Sequence, residues 1–137
     1  MDANEKLAIH ELLGRASYAL DQRAIDQLEE CFAADAVLVL SVDGVEGEPR
    51  FEGRDAIMAL MRSAMQEQTD QRRHLTTNIL FVEESRSVAL VVSNLTLTGV
   101  EDGVIRLITS GLYRDRVRKD GVRWVIAERR IDLDMPY

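Results

Sequence analysis

A histidine on a strand, followed at alternate positions by two small polar residues, is the first arrangement in this sequence that can do chemistry. His74, Thr76 and Asn78 fall in the run RRHLTTNIL. Side chains alternate along an extended chain, so residues two and four apart share a face. If that face is concave, all three meet a ligand. Imidazole gives and takes a proton near neutral pH without a large environmental shift, which is what an elimination or a ketone isomerisation needs. His74 is therefore the candidate base. The plainer alternative is a histidine at a strand start, bonded to a carboxylate and half solvated.

Tyr18 and Asp21 are three apart in SYALD, so on a helix they occupy adjacent turns. The Tyr18 hydroxyl can donate to a substrate carbonyl and steady the enolate that develops when a neighbouring proton leaves. Otherwise it is a buried aromatic with a satisfied hydroxyl. An acid such as Asp21 in an apolar cavity needs a partner; alternatively Asp21 caps a following helix. Asn78 can orient substrate or bond across the sheet. Arg129 and Arg130 point to opposite faces of a strand, so at most one enters a cavity. Met58, Met61 and Met65 follow helical spacing and read as core or as an adaptable pocket wall. Thr76, Asn78, Arg129 and Met61 are the candidate substrate contacts.

The sequence has no Gly-rich phosphate loop, no His-Glu-x-x-His helix and no nucleophile elbow, and its two histidines are distant in sequence. The expectation is chemistry without metal or cofactor.

These residues need elements to hold them. Apolar positions Ile9, Leu12, Leu13, Ala16, Ala19 and Leu20 predict an amphipathic helix over 4–20, started by Asp2 or Asn4. A shorter helix follows, with Ile25, Leu28, Cys31 and Phe32 inward, ending near the alanines before Asp35. Residues 36–42 read as a strand running into the turn material GVEGEP, with a short return strand at 50–52. A third helix is predicted over 55–68. Four β-like runs then follow at 75–83, 88–98, 105–117 and 122–133, linked by EESRS, EDG and RKDG, whose Asp-Gly pairs suit tight hairpins. The predicted class is α+β, with helices on one face of a curled, mostly antiparallel sheet that leaves an apolar pocket.

The totals agree with one folded domain over 1–137. Apolar residues make up 46% and charged residues 30%, a globular profile. A formal charge of −7 and a pI near 4.8, with no Lys/Arg cluster, argue against nucleic acid as a partner. The acid-bearing start MDANEKLAIH lacks an export signal. No apolar run reaches the roughly 20 residues of a membrane span. Cys31 is the single cysteine, which rules out an intramolecular disulfide and fits a reducing cytoplasm.

The element order, with the segments ALDQRAIDQLEECFAADAVL, FEGRDAIMALM, RRHLTTNI and GLYRDRVRKDGVRWVIAERR, resembles the nuclear-transport-factor-2-like superfamily, in particular its SnoaL-like branch. The resemblance implies a cone-shaped cystatin-like roll. It also implies that Tyr18, Asp21 and His74 take the places of the Tyr, Asp and His that line the cone in dehydratase-like members such as scytalone dehydratase. Asp21 would then orient His74 and raise its basicity. A second active-site histidine of scytalone dehydratase has no counterpart here. The implied activity is a dehydratase-type lyase or an isomerase acting on a small hydrophobic cyclic compound. The rivals are a non-catalytic ligand-binding module and an accessory subunit of a ring-hydroxylating oxygenase. A homodimer is expected, because the outer sheet face carries more Val, Leu and Ile than a monomer comfortably exposes.

Overall fold

The computed structural model describes residues 1–137. Its elements run α1 (Ala3–Asp21), α2 (Ile25–Glu29), β1 (Phe32–Val42), β2 (Arg50–Glu52), α3 (Arg54–Glu67), β3 (Gln71–Glu84), β4 (Val88–Glu101), β5 (Val104–Asp120) and β6 (Arg123–Leu133). One six-stranded sheet has the order β2-β1-β6-β5-β4-β3. From β3 to β6 it is the antiparallel meander that the Asp-Gly turns predict, while β1 lies parallel to β6 and antiparallel to β2.

Asp2 starts α1, its side chain accepting from the Glu5 N–H at 2.9 Å. The buried face of α1 presents Ile9, Leu12, Leu13 and Ala16 to a core that also takes Ile57 and Met58 from α3, Phe32 and Leu38 from β1, Val91 from β4, Val117 from β5 and Ile126 from β6. A smaller cluster of Leu95, Tyr113 and Leu133 sits apart from it.

Two boundaries differ clearly from the sequence expectation: β3 begins at Gln71 rather than at 75, and the second helix ends early. The second helix stops at Glu29, and Phe32 and the alanines after it belong to β1. Phe32 is still buried, but as a strand residue paired with Ile126. The run FAADAVLVLSV carries Phe32 and the β-branched Val37, Val39 and Val42, and parallel pairing with β6 takes it into the sheet.

Register shifts mark bulges on β3 between Thr77 and Leu80, between Leu97 and Thr98 on the β4–β5 ladder, and between Arg116 and Val117 on the β5–β6 ladder. Each adds local bend and twist, and together they curl the long strands around the helices. Gly111 permits close approach at one such curve. A Cβ there would lie 2.2 Å from the Asp132 carbonyl oxygen on β6, closer than atoms can pack.

Candidate active site

The last turn of α1 and the first half of β3 come together at one wall of the sheet. The Ser17 and Thr76 hydroxyls lie 2.9 Å apart and link the two elements. One turn further along, the buried Asp21 carboxylate accepts from the His74 backbone N–H at 2.9 and 3.1 Å and stands 2.5 Å from His74 Nδ1. The Gln71 side chain donates to the Asp21 carbonyl at 3.0 Å. Arg23 donates to the carbonyls of Gln68 and Asp70, tying the α3–β3 loop to the end of α1.

An ionised carboxylate only accepts, so in the neutral imidazole tautomer that this contact favours, Nδ1–H points towards Asp21 and Nε2 is free to accept a proton. The His74 side chain is largely buried and lines an apolar cavity of about 90 Å³. Leu20 of α1, Leu60, Met61 and Ala64 of α3, and Leu38, Leu95 and Leu97 of the sheet form the walls. Five of the lining residues, Leu60, Ala64, Gln68, Arg72 and Tyr137, also border a larger, more polar outer recess of about 450 Å³.

Across the cavity from α1 stands a second charged group. Arg129 is 5% exposed. Its Nε and Nη2 donate to the two Asp115 oxygens at 2.8 and 3.0 Å, and its Cζ lies 3.9 Å from the centre of the Tyr113 ring. Burial opposes the Arg129 charge, but the Asp115 carboxylate outweighs it and holds the guanidinium above the ordinary arginine range. Burial pushes the Tyr113 phenol up to about 12, so it stays neutral. Arg130, by contrast, faces outward and pairs with Glu48 and Asp132.

The predicted site residues divide accordingly. His74, Met61 and Arg129 line the cavity, and Asp21 stands behind His74. Thr76 faces inward, but its hydroxyl is engaged by Ser17 and it does not border the cavity.

Tyr18 corrects the expectation. It is 61% exposed and opens onto a surface depression with Leu7, His10 and Arg15. It stands nine residues after the buried Ile9, about two and a half turns on at 3.6 residues per turn, and hence on the opposite side of α1.

Asn78 is the other correction. It sits exposed in the β3 bulge with φ +55°, a left-handed conformation that Asn tolerates better than most residues. The extra residue breaks the alternation, so the inward positions run Arg72, His74, Thr76 and then Ile79 and Phe81.

Sequence reasoning missed Tyr113, Asp115 and Arg72. The signal for the first two was present: Tyr113, Asp115 and Val117 share one face of β5, and an acid on an otherwise apolar face needs a buried cation. Arg72 was passed over because the polar start of β3 hides a strand. Its Nε donates to both oxygens of the buried Asp70, at 3.0 and 3.1 Å.

A curved, mostly antiparallel sheet closed by N-terminal helices over an apolar cavity is the cystatin-like α+β roll of the nuclear-transport-factor-2-like superfamily. Within it, the chain belongs to the SnoaL-like domain family, whose model matches residues 1–130. No curated protein matches the chain. Among solved structures it is similar to Rv3472 of Mycobacterium tuberculosis, a protein of unknown function, at 28% identity with TM-score 0.80, covering 95% of this chain and 72% of that one. It is also similar to a Nostoc punctiforme protein of unknown function with a cystatin-like fold, at 23% identity and TM-score 0.82, covering 99% and 97%. A third is the β subunit of a candidate aromatic-ring-hydroxylating dioxygenase from Novosphingobium aromaticivorans, at 14% identity and TM-score 0.81, covering 95% and 89%. No helix is long and apolar enough to cross a membrane.

Proposed function

We propose that the chain is a cofactor-independent lyase or isomerase that removes a proton next to a carbonyl of a small hydrophobic cyclic compound. The observation that carries this reading is the 2.5 Å contact between Asp21 and His74 Nδ1 at the wall of an apolar cavity. His74 Nε2 takes the proton, and the C–H electrons move into an enolate. In an elimination the imidazolium then protonates a departing β-hydroxyl, which leaves as water. In an isomerisation it returns the proton to another carbon, and either path restores neutral His74. Asp21 holds the tautomer and steadies the imidazolium. Met61 and the leucines give apolar contact. Tyr18 and Asn78 have no part in this scheme, because neither borders the cavity.

Size limits the ligand to a small ring. A cavity of about 90 Å³ is smaller than the ~150 Å³ that holds benzene in an engineered core. A ligand therefore displaces flexible wall residues such as Met61 or extends into the outer recess. Screening cyclic ketones and enones for turnover tests the reading.

A second reading, an accessory subunit of a ring-hydroxylating oxygenase, draws on exposed apolar residues at the β5 start, where Val104, Ile105 and Leu107 are 57%, 75% and 71% exposed. Copurification with a larger oxygenase chain, and no turnover alone, would favour it.

A further inference from the structure

Arg129 has more hydrogen-bonding capacity than the protein uses. A guanidinium has five N–H donors, and Asp115 occupies only Nε and Nη2. Nη1 makes no hydrogen bond to the protein. Nη1 is not among the fully enclosed polar atoms that lack a partner, which are Arg54 Nε and Ser93 Oγ, and Arg129 lines the cavity. Asp115 fixes one edge of the guanidinium and Tyr113 lies against its face. The guanidinium is thus a rigidly held, buried donor with spare N–H groups.

We propose that this spare N–H edge of Arg129 binds an anionic oxygen on a small unsaturated ring, an enolate or phenolate, and so replaces Tyr18 as the group that holds the substrate oxygen. This rests on the cavity being the ligand site, as proposed above, but not on turnover. Placement favours an oxyanion over a neutral carbonyl. Asp115 balances the Arg129 charge, but Nη1 donates into low dielectric, where a charge-assisted bond is strongest. Asp115 has both oxygens occupied by Arg129.

The probe is 4-nitrophenol, whose phenolate absorbs in the visible while the phenol does not. Spectroscopic titration across pH, with and without protein, gives the phenol pKa in the complex; the released proton goes to solvent. In the wild-type chain the bound phenol pKa is expected to fall by about 1–3 units, the shift an adjacent guanidinium produces on an acid. Arg129→Gln alone strands a buried Asp115 charge and endangers the fold, so the test variant is Arg129→Gln/Asp115→Asn, with folding checked by circular dichroism. The shift should vanish in that double variant and persist in His74→Asn. A shift lost in His74→Asn but kept in the double variant would overturn the proposal, as would a wild-type chain that binds the phenol unshifted or not at all. A shift that depends on Arg129 in a chain that turns over no ketone would keep the oxyanion site while removing the catalytic reading.

Discussion

The Asp21 carboxylate holds His74 twice, accepting from its backbone N–H at 2.9 Å and standing 2.5 Å from its ring Nδ1. One side chain on α1 therefore fixes both the strand position and the imidazole orientation. In Asp21→Asn the oxygen can still accept one of these bonds, but the amide N–H2 cannot accept from Nδ1–H, so the ring is freed or takes the other tautomer. We expect turnover to fall, though less than in His74→Asn, and stability to fall by about 1–3 kcal/mol from the disturbed buried bonds. Comparing the two variants on one substrate, with chemical denaturation alongside, checks the order.

Tyr18→Phe separates this site from the one that the family resemblance implies. Because Tyr18 lies on the solvent side of α1, its hydroxyl meets no ligand in the cavity. The variant should keep the wild-type rate and remain within about 0.5 kcal/mol in stability, as surface changes usually do. A large loss of rate with an intact fold would return Tyr18 to the site.

The contrast between these two residues shows what was legible in the sequence. The β3–β6 meander, its hairpins and the Asp21–His74 neighbourhood followed from periodicity, turn residues and resemblance, whereas the parallel pairing of β1 with β6 did not. The Tyr18 error was one of helical phase, since the buried stripe already placed Ile9 and hence the opposite side for Tyr18. Asn78 was illegible for a different reason: a bulge changes the phase of a strand, and strict alternation carries no sign of it. The Arg129–Asp115 pair lay between these cases. Alternation left Arg129 and Arg130 on opposite faces, but choosing between them required knowing that Asp115 on β5 pairs with Arg129 across the sheet.

Glu5 should set part of the acid limit of stability. Bonds from Lys119, then Trp124, hold its carboxyl below the ordinary 4.5. A carboxyl depressed in the folded state contributes stability that is fully present above its unfolded pKa and is lost as pH falls through the folded value. Glu5→Gln should thus be less stable than wild type at neutral pH, and the two should converge on acidification below about pH 4.5. Denaturant midpoints measured from pH 7 down to pH 3 check the convergence; a constant gap across that range would contradict it.

A dimer through the outer sheet face is an expected outcome. Past the β3 bulge, Leu80 and Val82 are 62% and 55% exposed, and Leu80 pairs with Val92 on β4, giving an apolar strip that a second copy of the chain would cover. Sedimentation at micromolar concentration should show a dimer, weakened by Leu80→Lys. A single 15.5 kDa species would refute it.

Proton abstraction next to a carbonyl is most directly read as isotope exchange. A cyclic ketone or enone incubated with the protein in deuterated water gains deuterium at the α-carbon whenever the base removes and returns that proton, even if no net product forms, and proton NMR follows the lost signal. The wild-type chain is expected to accelerate exchange for some members of a small set of single-ring ketones, and folded His74→Asn to lose a factor of about 10²–10⁴, the usual cost of removing a general base. Exchange in folded His74→Asn at the wild-type rate would contradict it and leave the cavity as a binding site.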